Sequence, residues 1–322
     1  MTSIVVEQVN ASEPSANAKY TIKETSLSFN DFICSYPRAA YTGMRTVNRK
    51  SIVELDAHMK RVVNSVSLMK FAEPGKEEET DHVAHQLESF RDRDAFEEKL
   101  IPLLRQSLSA FYEHQPQATE AKTVVLVTYD HQAQQPCFAS HVTELHQPSE
   151  DRAKIQMVNK ARTMPSVKDT QWVRDRLQLE KDKAHDVNEV ILIDDQNQIY
   201  EGMSSNFMAV RRRRSDELDR SEYIIQCASL EHVLLGTVMK IIMGICGRDA
   251  IDIEWVFPTY QDARAGKWEG CFLASTSRLL LPVETIYTND GSNAIEFPVS
   301  PFIRGLRSKV IQEIEHRSYR IL

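Results

Sequence analysis

The chain has 322 residues, which suggests two domains or one large one, and its 42% hydrophobic and 26% charged residues are ordinary for a globular protein. A formal net charge of -7 and a pI near 5.9 give no broad basic surface, which argues against nucleic acid as a main partner. The longest apolar run, 233–245, contains Gly, Thr and Lys and is too short to span a bilayer, so we expect no membrane partner.

The first residues and the cysteines predict a cytoplasmic protein. Residues 1–20 contain acids and lack both a basic leader and an Arg-rich amphipathic pattern, so they do not resemble a targeting segment. The five cysteines are scattered, odd in number and include no CxxC pair. Such a pattern is typical of reduced intracellular thiols and favours neither a disulfide framework nor a metal site.

The N-terminal half begins with a polar segment and continues with regular elements. Residues 1–24 are rich in Ser, Ala and Asn, which predicts a loosely ordered tail. Residues 32–55 alternate in polarity around Asn48, which predicts two short strands joined by a turn. Apolar residues at helical spacing predict a helix over 56–70, and the charged stretch 75–94 is expected to be a surface insertion.

The remaining elements form clusters of strands separated by single helices. Strands are predicted at 123–129, 137–145, 154–162, 190–210 (as a hairpin), 223–228, 254–257 and 270–276. Helices are predicted at 95–114, where Pro102 is expected to delay or kink the helix, and at 169–183, 230–246 and 302–316. This order predicts the α+β class with mixed sheets. We divide the chain into a smaller N-terminal α+β domain, 25–150, and a larger C-terminal α+β domain, 151–322.

The stretch QNQIYEGMSSNFMAV, residues 196–210, places an acid inside a predicted strand. The turn of this hairpin already lies upstream, at 194–197, so the Gly and Asn of EGMSSN are not needed to reverse the chain. Glu201 therefore lies within the second strand, where a buried carboxylate is unfavourable unless it has a partner. We therefore expect Glu201 to have a partner that offsets this cost.

Five separated segments within residues 32–290 resemble a known family. They are YTGMRTVNRKSIVELDAHMKRVVNS, SVKDTQWVRDRL, VILIDDQNQIYEGMSSNFMAV, LEHVLLGTVMKIIM and FLASTSRLLLPVETI. In the same order they resemble the fold type IV pyridoxal-phosphate enzymes, which include branched-chain aminotransferases, D-amino acid aminotransferases and aminodeoxychorismate lyases; the chain is most similar to divergent members. The resemblance implies a two-domain, D-amino acid aminotransferase-like architecture, a homodimer, and pyridoxal 5'-phosphate bound between the domains.

The resemblance places the catalytic lysine at Lys168, in SVKDTQW just before a predicted helix. The cofactor requires a lysine for its Schiff base, and the amine must be able to lose a proton. Lys168 precedes Glu201 by 33 residues, a separation similar to that in aminodeoxychorismate lyases. Lys160 is the local rival, at a separation of 41 that is less similar to the family, and a surface lysine is the alternative interpretation.

The resemblance also assigns the groups that hold the cofactor. The acid of the family's "EG..SN" motif, here Glu201, faces the pyridine nitrogen and keeps it protonated, while Asn206 holds the same strand and Gly202 permits close backbone approach. An exposed edge-strand Glu is the alternative. For the cofactor phosphate the resemblance implies an arginine, a helix N-terminus and a turn, formed by Arg61, Gly236, Thr237, Val238, Ser275 and Thr276.

The substrate-facing residues depart from the family pattern. Trp172 lies where branched-chain enzymes usually carry an aromatic hydroxyl, and its indole offers a single N–H. Arg45, in TGMRT, is positioned to bind a substrate carboxylate, and a strand-surface arginine is the equal alternative. Ser275 replaces a family glycine.

The resemblance implies transfer of an amino group between an amino acid, with branched-chain amino acids among the candidates, and a 2-oxo acid. Lys168 would hold the cofactor and then act as the base in proton transfer. Two alternatives remain open. One is an aminodeoxychorismate lyase that forms 4-aminobenzoate, and the other is a non-catalytic binding protein that retains the fold.

Overall fold

The computed structural model describes residues 2–146, 151–160, 166–213, 221–288 and 293–322. In chain order the strands are β1 (Ser3–Gln8), β2 (Tyr20–Thr25), β3 (Ala40–Val47), β4 (Ser51–Val53), β5 (Ala121–Asp130), β6 (Gln135–Glu144), β7 (Ala153–Asn159), β8 (Glu189–Ile193), β9 (Ile199–Gly202), β10 (Asn206–Arg212), β11 (Tyr223–Cys227), β12 (Asp252–Trp255), β13 (Gly270–Ser275), β14 (Leu279–Tyr287), β15 (Ala294–Glu296) and β16 (Ser318–Arg320). The helices are α1 (Phe29–Cys34), α2 (Leu55–Leu68), α3 (Asp81–Gln86), α4 (Glu88–Arg91), α5 (Arg93–His114), α6 (Thr170–Asp175), α7 (Leu177–Asp182), α8 (Thr237–Arg248), α9 (Tyr260–Arg264) and α10 (Pro301–His316).

The chain divides into two compact units that are not contiguous in sequence. The first unit comprises Met1–His146, Val167–Asp175 and Arg317–Leu322, and the second comprises Gln147–Ser166 and Arg176–His316. The predicted domains 25–150 and 151–322 need correction, because two later segments return to the first unit. One return is fixed by a β-bridge between Ala40 and Asp169, and the other by pairing of β16 with β4.

The first unit is built on an antiparallel sheet. Its strand order among the described residues is β16-β4-β3-β5-β6-β1-β2, with every neighbouring pair antiparallel. Helices α2 and α5 pack on one face, and their apolar side chains form a core with residues such as Met44, Val125 and Phe138. The other face carries a second core with α1 and α6, which includes Phe32 and Val173.

The loosely ordered tail predicted for residues 1–24 is wrong. Strand β1 lies between β2 and β6, and its Ile4 and Val6 side chains are fully buried. The following loop is fixed by Lys99 of α5, whose ammonium group donates to the carbonyls of Ala11 at 2.9 Å and Glu13 at 2.6 Å. Two buried apolar side chains on one strand face and an internal cation therefore order a segment that its polar composition does not reveal.

Two predictions for the region before β5 also need correction. Stretch 75–94 is not only a surface insertion, because α3 and α4 bury Val83 and Phe90 in the core. Pro102 does not delay α5, which begins at Arg93 and is capped by Asp92 Oδ1 through the N–H groups of residues 94 and 95. The Asp92 N-cap, ten residues before Pro102, sets the start of the helix, and the helix continues past the proline.

The second unit contains a ring of strands. Strands β10, β13, β14, β7, β8 and β9 pair in that order, and β9 pairs again with β10. Strands β11 and β12 extend the sheet outward from β10, and α8 and α10 pack together against it. The β9–β10 pairing consists of one described residue pair, Glu201 opposite Asn206. The motif that the sequence singled out therefore lies where the ring closes.

The predicted α+β class is confirmed, as mixed sheets with helices on their faces. The predicted helix 230–246 begins only at Thr237, and the predicted strand 154–162 is described as far as residue 160. None of the helices in the described ranges has the length and apolar character that crossing a membrane requires.

Candidate active site

Glu201 and Asn206 are buried at the ring closure and tied to one backbone residue. Their exposed fractions are 3% and 4%. The Leu234 N–H donates to Glu201 Oε2 at 3.1 Å, and Asn206 Nδ2 donates to the Leu234 carbonyl at 2.7 Å. Burial, followed by the charge of Glu201, raises the pKa of the Cys227 thiol to about 12. The alternative of an exposed edge-strand Glu201 is therefore wrong.

The 201–206 turn requires a glycine at its second position. The Gly202 N–H donates to the Ser205 carbonyl at 2.7 Å. A Cβ atom at Gly202 would lie 2.4 Å from Ser205 Oγ and 3.0 Å from Glu189 Cγ, too close for either contact. Gly202 therefore lets the chain fold tightly against Glu189.

Helix α8 begins directly beside this turn. Gly236 is its N-cap residue, in an extended conformation with φ -67° and ψ 148°. A Cβ atom there would lie 2.1 Å from Asn206 Oδ1, so the glycine makes room for the asparagine. Val238 is 2% exposed, and its side chain belongs to the core. Only its backbone N–H, in the first turn of the helix, is suited to anion binding.

A third element, the β13–β14 turn at residues 275–278, reaches the start of α8. The hydroxyl oxygens of Thr276 and Thr237 lie 3.2 Å apart, within hydrogen-bonding distance. The turn is closed by the Arg278 N–H, which donates to Ser275 Oγ at 3.3 Å. In the second unit the structure therefore brings together the predicted residues Glu201, Asn206, Gly236, Thr237, Val238, Ser275 and Thr276.

The first unit holds Lys168 by its backbone. The Lys168 N–H donates to Ser65 Oγ at 3.1 Å, and its carbonyl accepts the Tyr41 N–H at 3.0 Å. The neighbouring Asp169 binds the Arg38 guanidinium at 2.6 Å. Lys168 Nζ lies 5.2 Å from the centre of the Tyr41 ring. The lysine therefore extends from a segment that is fixed on both sides, two residues before α6 begins.

Arg61 lies on the same helix as the residue that holds Lys168. Arg61 and Ser65 are four residues apart on α2, so their side chains lie on one face. His58, one turn earlier, is buried with its Nδ1 2.7 Å from Thr42 Oγ1. In the first unit the structure therefore places Arg61 and Lys168 on two segments joined through Ser65.

The two weaker substrate candidates are both buried in the first unit. Arg45 is 4% exposed, so the alternative of a strand-surface arginine is wrong. Burial lowers the pKa of the Arg45 guanidinium, and the charge of Glu120 opposes that shift. Trp172, on α6, is 6% exposed.

Sequence reasoning missed an internal carboxylate next to the 201–206 turn. Glu189 is 1% exposed and accepts hydrogen bonds from Ser204 Oγ at 2.7 Å, Ser205 Oγ at 3.1 Å and Arg278 Nη1 at 2.8 Å. Its signal in the sequence is an acid that opens the apolar run VILI. Its partners lie too far along the chain for any local pattern to identify them.

Comparisons with solved structures show the fold. The pyridoxal-phosphate-bound form of a hypothetical aminotransferase from Mycobacterium tuberculosis has 13% identity and a TM-score of 0.67, with 97% of this chain and 98% of that chain covered. A branched-chain aminotransferase from Thermoproteus uzoniensis, solved with norvaline, has 13% identity and a TM-score of 0.67, with 99% and 100% covered. A fold IV transaminase from Curtobacterium pusillum has 12% identity and a TM-score of 0.67, with 98% and 99% covered.

The family comparison is more specific than these distant structures. Among curated proteins, none matches the chain significantly. The model of the amino-transferase class IV family matches residues 39–286, most of the chain, which confirms the resemblance seen in the five sequence segments. The chain belongs to the class IV aminotransferases, a family of pyridoxal-phosphate-dependent enzymes.

Proposed function

We propose that this protein transfers an amino group between an amino acid, with branched-chain amino acids among the candidates, and a 2-oxo acid. The observation that carries the proposal is the buried Glu201 carboxylate, which is tied through Leu234 to Asn206 beside the N-terminus of α8. A buried acid beside an anion-binding helix end suits a ligand with a cationic ring and a phosphate. The family membership identifies that ligand as pyridoxal phosphate.

The donor set of the second unit fits the phosphate. The backbone N–H groups of Thr237 and Val238 lie in the first turn of a helix, where the helix dipole favours an anion. The Thr237 and Thr276 hydroxyls are next to each other and can both donate. Arg61 would add a charged donor from the first unit. We propose that these groups bind the phosphate.

Glu201 and Lys168 would divide the remaining roles. The Glu201 carboxylate would lie against the pyridine nitrogen, and its charge would favour the protonated ring. Lys168 Nζ would bind the cofactor covalently and then move the proton at the substrate Cα as a general base. When bound, pyridoxal phosphate supplies the electron sink for that proton loss.

The residues proposed to bind the cofactor come from both units. Lys168 and Arg61 belong to the first unit, and Glu201 and Thr276 belong to the second. Arg45 and Trp172 remain our candidates for contact with the substrate. We also propose a homodimer, which light scattering of the purified protein tests directly.

Covalent labelling of the lysine tests the centre of the proposal. Borohydride reduction of the cofactor-loaded protein, followed by peptide mapping, is expected to place the phosphopyridoxyl group on Lys168. Lys160 provides an internal control, because it lies in the second unit with its backbone bound to the Ile193 carbonyl. A label on Lys160, or on no lysine, contradicts the assignment.

A substrate panel distinguishes the alternatives. Cofactor-loaded protein is mixed with L- and D-amino acids, and the conversion of the cofactor to its amine form is followed by absorbance. Conversion by these amino acids supports transamination and reports the handedness of the substrate. Release of 4-aminobenzoate from aminodeoxychorismate would support the lyase, which the separation of 33 residues between Lys168 and Glu201 favours. A protein that binds the cofactor but converts none of these substrates supports the non-catalytic alternative.

A further inference from the structure

A partly buried ion pair is bonded to two of the proposed cofactor-binding turns of the second unit. Glu189 opens β8 with a side chain that is 1% exposed, and Arg278 lies just before β14 with a side chain that is 25% exposed. Arg278 Nη1 is 2.8 Å from Glu189 Oε2. Neither residue belongs to the groups proposed to touch the cofactor or the substrate.

On one side, the pair is bound to the turn that carries Glu201 and Asn206. Ser204 Oγ and Ser205 Oγ both donate to Glu189 Oε2, the atom that also accepts from Arg278. Gly202 closes against the Glu189 side chain, since a Cβ atom there would lie 3.0 Å from Glu189 Cγ. The Glu189 carboxylate is therefore hydrogen-bonded to two of the four residues between Glu201 and Asn206, and its side chain leaves no room for a Cβ at a third, Gly202.

On the other side, the pair is bound to the turn that carries Thr276. The Arg278 backbone N–H closes this turn on Ser275 Oγ at 3.3 Å. Arg278 Nη2 donates to the Asn188 carbonyl at 3.0 Å, which adds a second bond from the guanidinium to the start of β8. The same arginine thus connects the 275–278 turn to the strand from which Glu189 extends.

The energetics of buried ion pairs favour a positioning role over a stabilising one. The desolvation of two charges offsets most of their attraction, so such a pair adds little net stability. Loss of one partner leaves a buried charge without compensation, and the hydrogen bonds around it rearrange. The pair therefore fixes the relative positions of the groups bonded to it.

We propose that Glu189 and Arg278 are positioning residues that hold the 201–206 turn in register with the 275–278 turn. The consequence for catalysis rests on the proposed function: the ring-facing Glu201 and the phosphate-facing Thr276 would keep a fixed separation. A substitution at either member of the pair would release both turns together, although neither residue is proposed to contact the substrate.

Hydrogen exchange on cofactor-free protein tests the positioning directly. Glu189→Gln and Arg278→Met are expected to raise the exchange rates of the backbone amides at 202–206 and 276–278 by about tenfold or more. The matched control is Glu254→Gln, which removes the acid of the Arg211–Glu254 pair between β10 and β12 in the same unit. Exchange rates at both turns that match this control overturn the inference.

Cofactor binding provides the second measurement, by equilibrium titration followed by absorbance. Glu189→Gln and Arg278→Met are expected to weaken pyridoxal phosphate binding by about tenfold, and to lower kcat more than they raise KM. Arg278→Lys keeps the charge beside Glu189 but loses the forked geometry that also reaches the Asn188 carbonyl, so it is expected to restore part of the affinity. The inference is also overturned if Glu189→Gln and Arg278→Met bind the cofactor as tightly as Glu254→Gln does. It is likewise overturned if Arg278→Lys binds the cofactor no more tightly than Arg278→Met does.

Failure of this inference and failure of the proposed function give different experimental results. A parent protein that binds no cofactor contradicts the proposed function, while hydrogen exchange still decides whether the pair holds the turns. If Glu189→Gln fails to fold, Ser204→Ala and Ser205→Ala each remove one donor to Glu189 Oε2 and keep the ion pair. Faster exchange at 202–206 in these variants supports the inference, and unchanged exchange overturns it.

Discussion

The chemistry proposed for this protein depends most directly on a few buried polar side chains. Glu201 is 3% exposed and receives a backbone hydrogen bond from Leu234, and its charge contributes to the raised pKa of the Cys227 thiol. A cationic group at contact would favour the charged form of this buried carboxylate. A protonated pyridine ring would be such a group, which is why we assign Glu201 to the ring nitrogen.

Glu201→Gln tests this assignment. The variant keeps the size of the side chain and removes its charge, so the electron sink should weaken while substrate contacts persist. We expect kcat to fall on the order of 100-fold with little change in KM, which corresponds to about 2.7 kcal/mol. Single-turnover kinetics on cofactor-saturated protein provide the measurement, with Glu269→Gln, a partner of Arg212, as the control. If Glu201→Gln converts substrate as fast as the parent, the acid has no role in catalysis.

Arg61→Ala tests the phosphate assignment in the first unit. Loss of a charged donor to the phosphate should weaken pyridoxal phosphate binding by about 1.5–3 kcal/mol. Lys60→Ala is the matched control on the same helix, because Lys60 is 64% exposed and its ion pair with Asp56 lies at the surface. Equal cofactor affinities in the two variants, measured by fluorescence titration, would show that Arg61 is an ordinary helix residue.

Single residues differ in how far the sequence predicts them. Glu201 and Asn206 are five positions apart and belong to one motif, so the resemblance identifies both. Arg278 and Glu189 are 89 positions apart, and they lie at the starts of two strands, β14 and β8, that both pair with β7. A pair of that kind leaves no periodic or local signal, and only the folded chain identifies it.

At the scale of elements, the start of α8 shows where periodicity misleads. The apolar residues at 233–235 extend the helical pattern toward the N-terminus, so the sequence predicts that the helix begins at residue 230. In the structure, the backbone of Leu234 is bonded to Glu201 and Asn206, and Gly236 is extended. These tertiary hydrogen bonds outweigh the local preference, and α8 begins at Thr237.

Two glycines of this region provide a matched pair of substitutions. Gly236→Ala would place a Cβ atom 2.1 Å from Asn206 Oδ1, so we expect it to displace the asparagine and weaken cofactor binding by about tenfold. Gly247→Ala lies in α8, where no atom is within 4 Å of the added Cβ. It should raise the free energy of unfolding by about 0.5–1 kcal/mol, because alanine favours the helix. Thermal melts and cofactor titration of both variants test this contrast, and similar behaviour of the two would contradict it.

At the scale of the whole molecule, the order of the chain does not follow its division into units. The segment with Lys168 is flanked in sequence by the second unit but is bound to the first, through Ser65, Tyr41 and Ala40. The sequence predicts the elements on both sides of this segment, because helix and strand periodicity is local. The sequence does not predict that the Lys168 segment joins the first unit, because that depends on hydrogen bonds between distant residues.

The stability of the first unit should depend on pH through one buried histidine. His141 is 1% exposed, stacks on Phe32 and has Nε2 3.0 Å from the Leu27 carbonyl. Burial lowers the pKa of His141 from 6.5 to about 4. The hydrogen bond to the Leu27 carbonyl opposes this shift, and the charge of Lys122 adds to it. Above the unfolded pKa neither state binds this proton, so the full stability is present. As the pH falls toward 4, the unfolded chain binds the proton first and stability is lost.

His141→Gln removes this titration and keeps a side-chain donor for the Leu27 carbonyl. Between about pH 7.5 and pH 5, the parent should lose about 2 kcal/mol of unfolding free energy through His141, and the variant should not lose that part. His85→Gln is the control, because the His85 side chain is 79% exposed. Urea denaturation of the three proteins at both pH values measures the difference. The buried imidazole would have no part in the pH dependence if His141→Gln lost as much stability as the parent over this range.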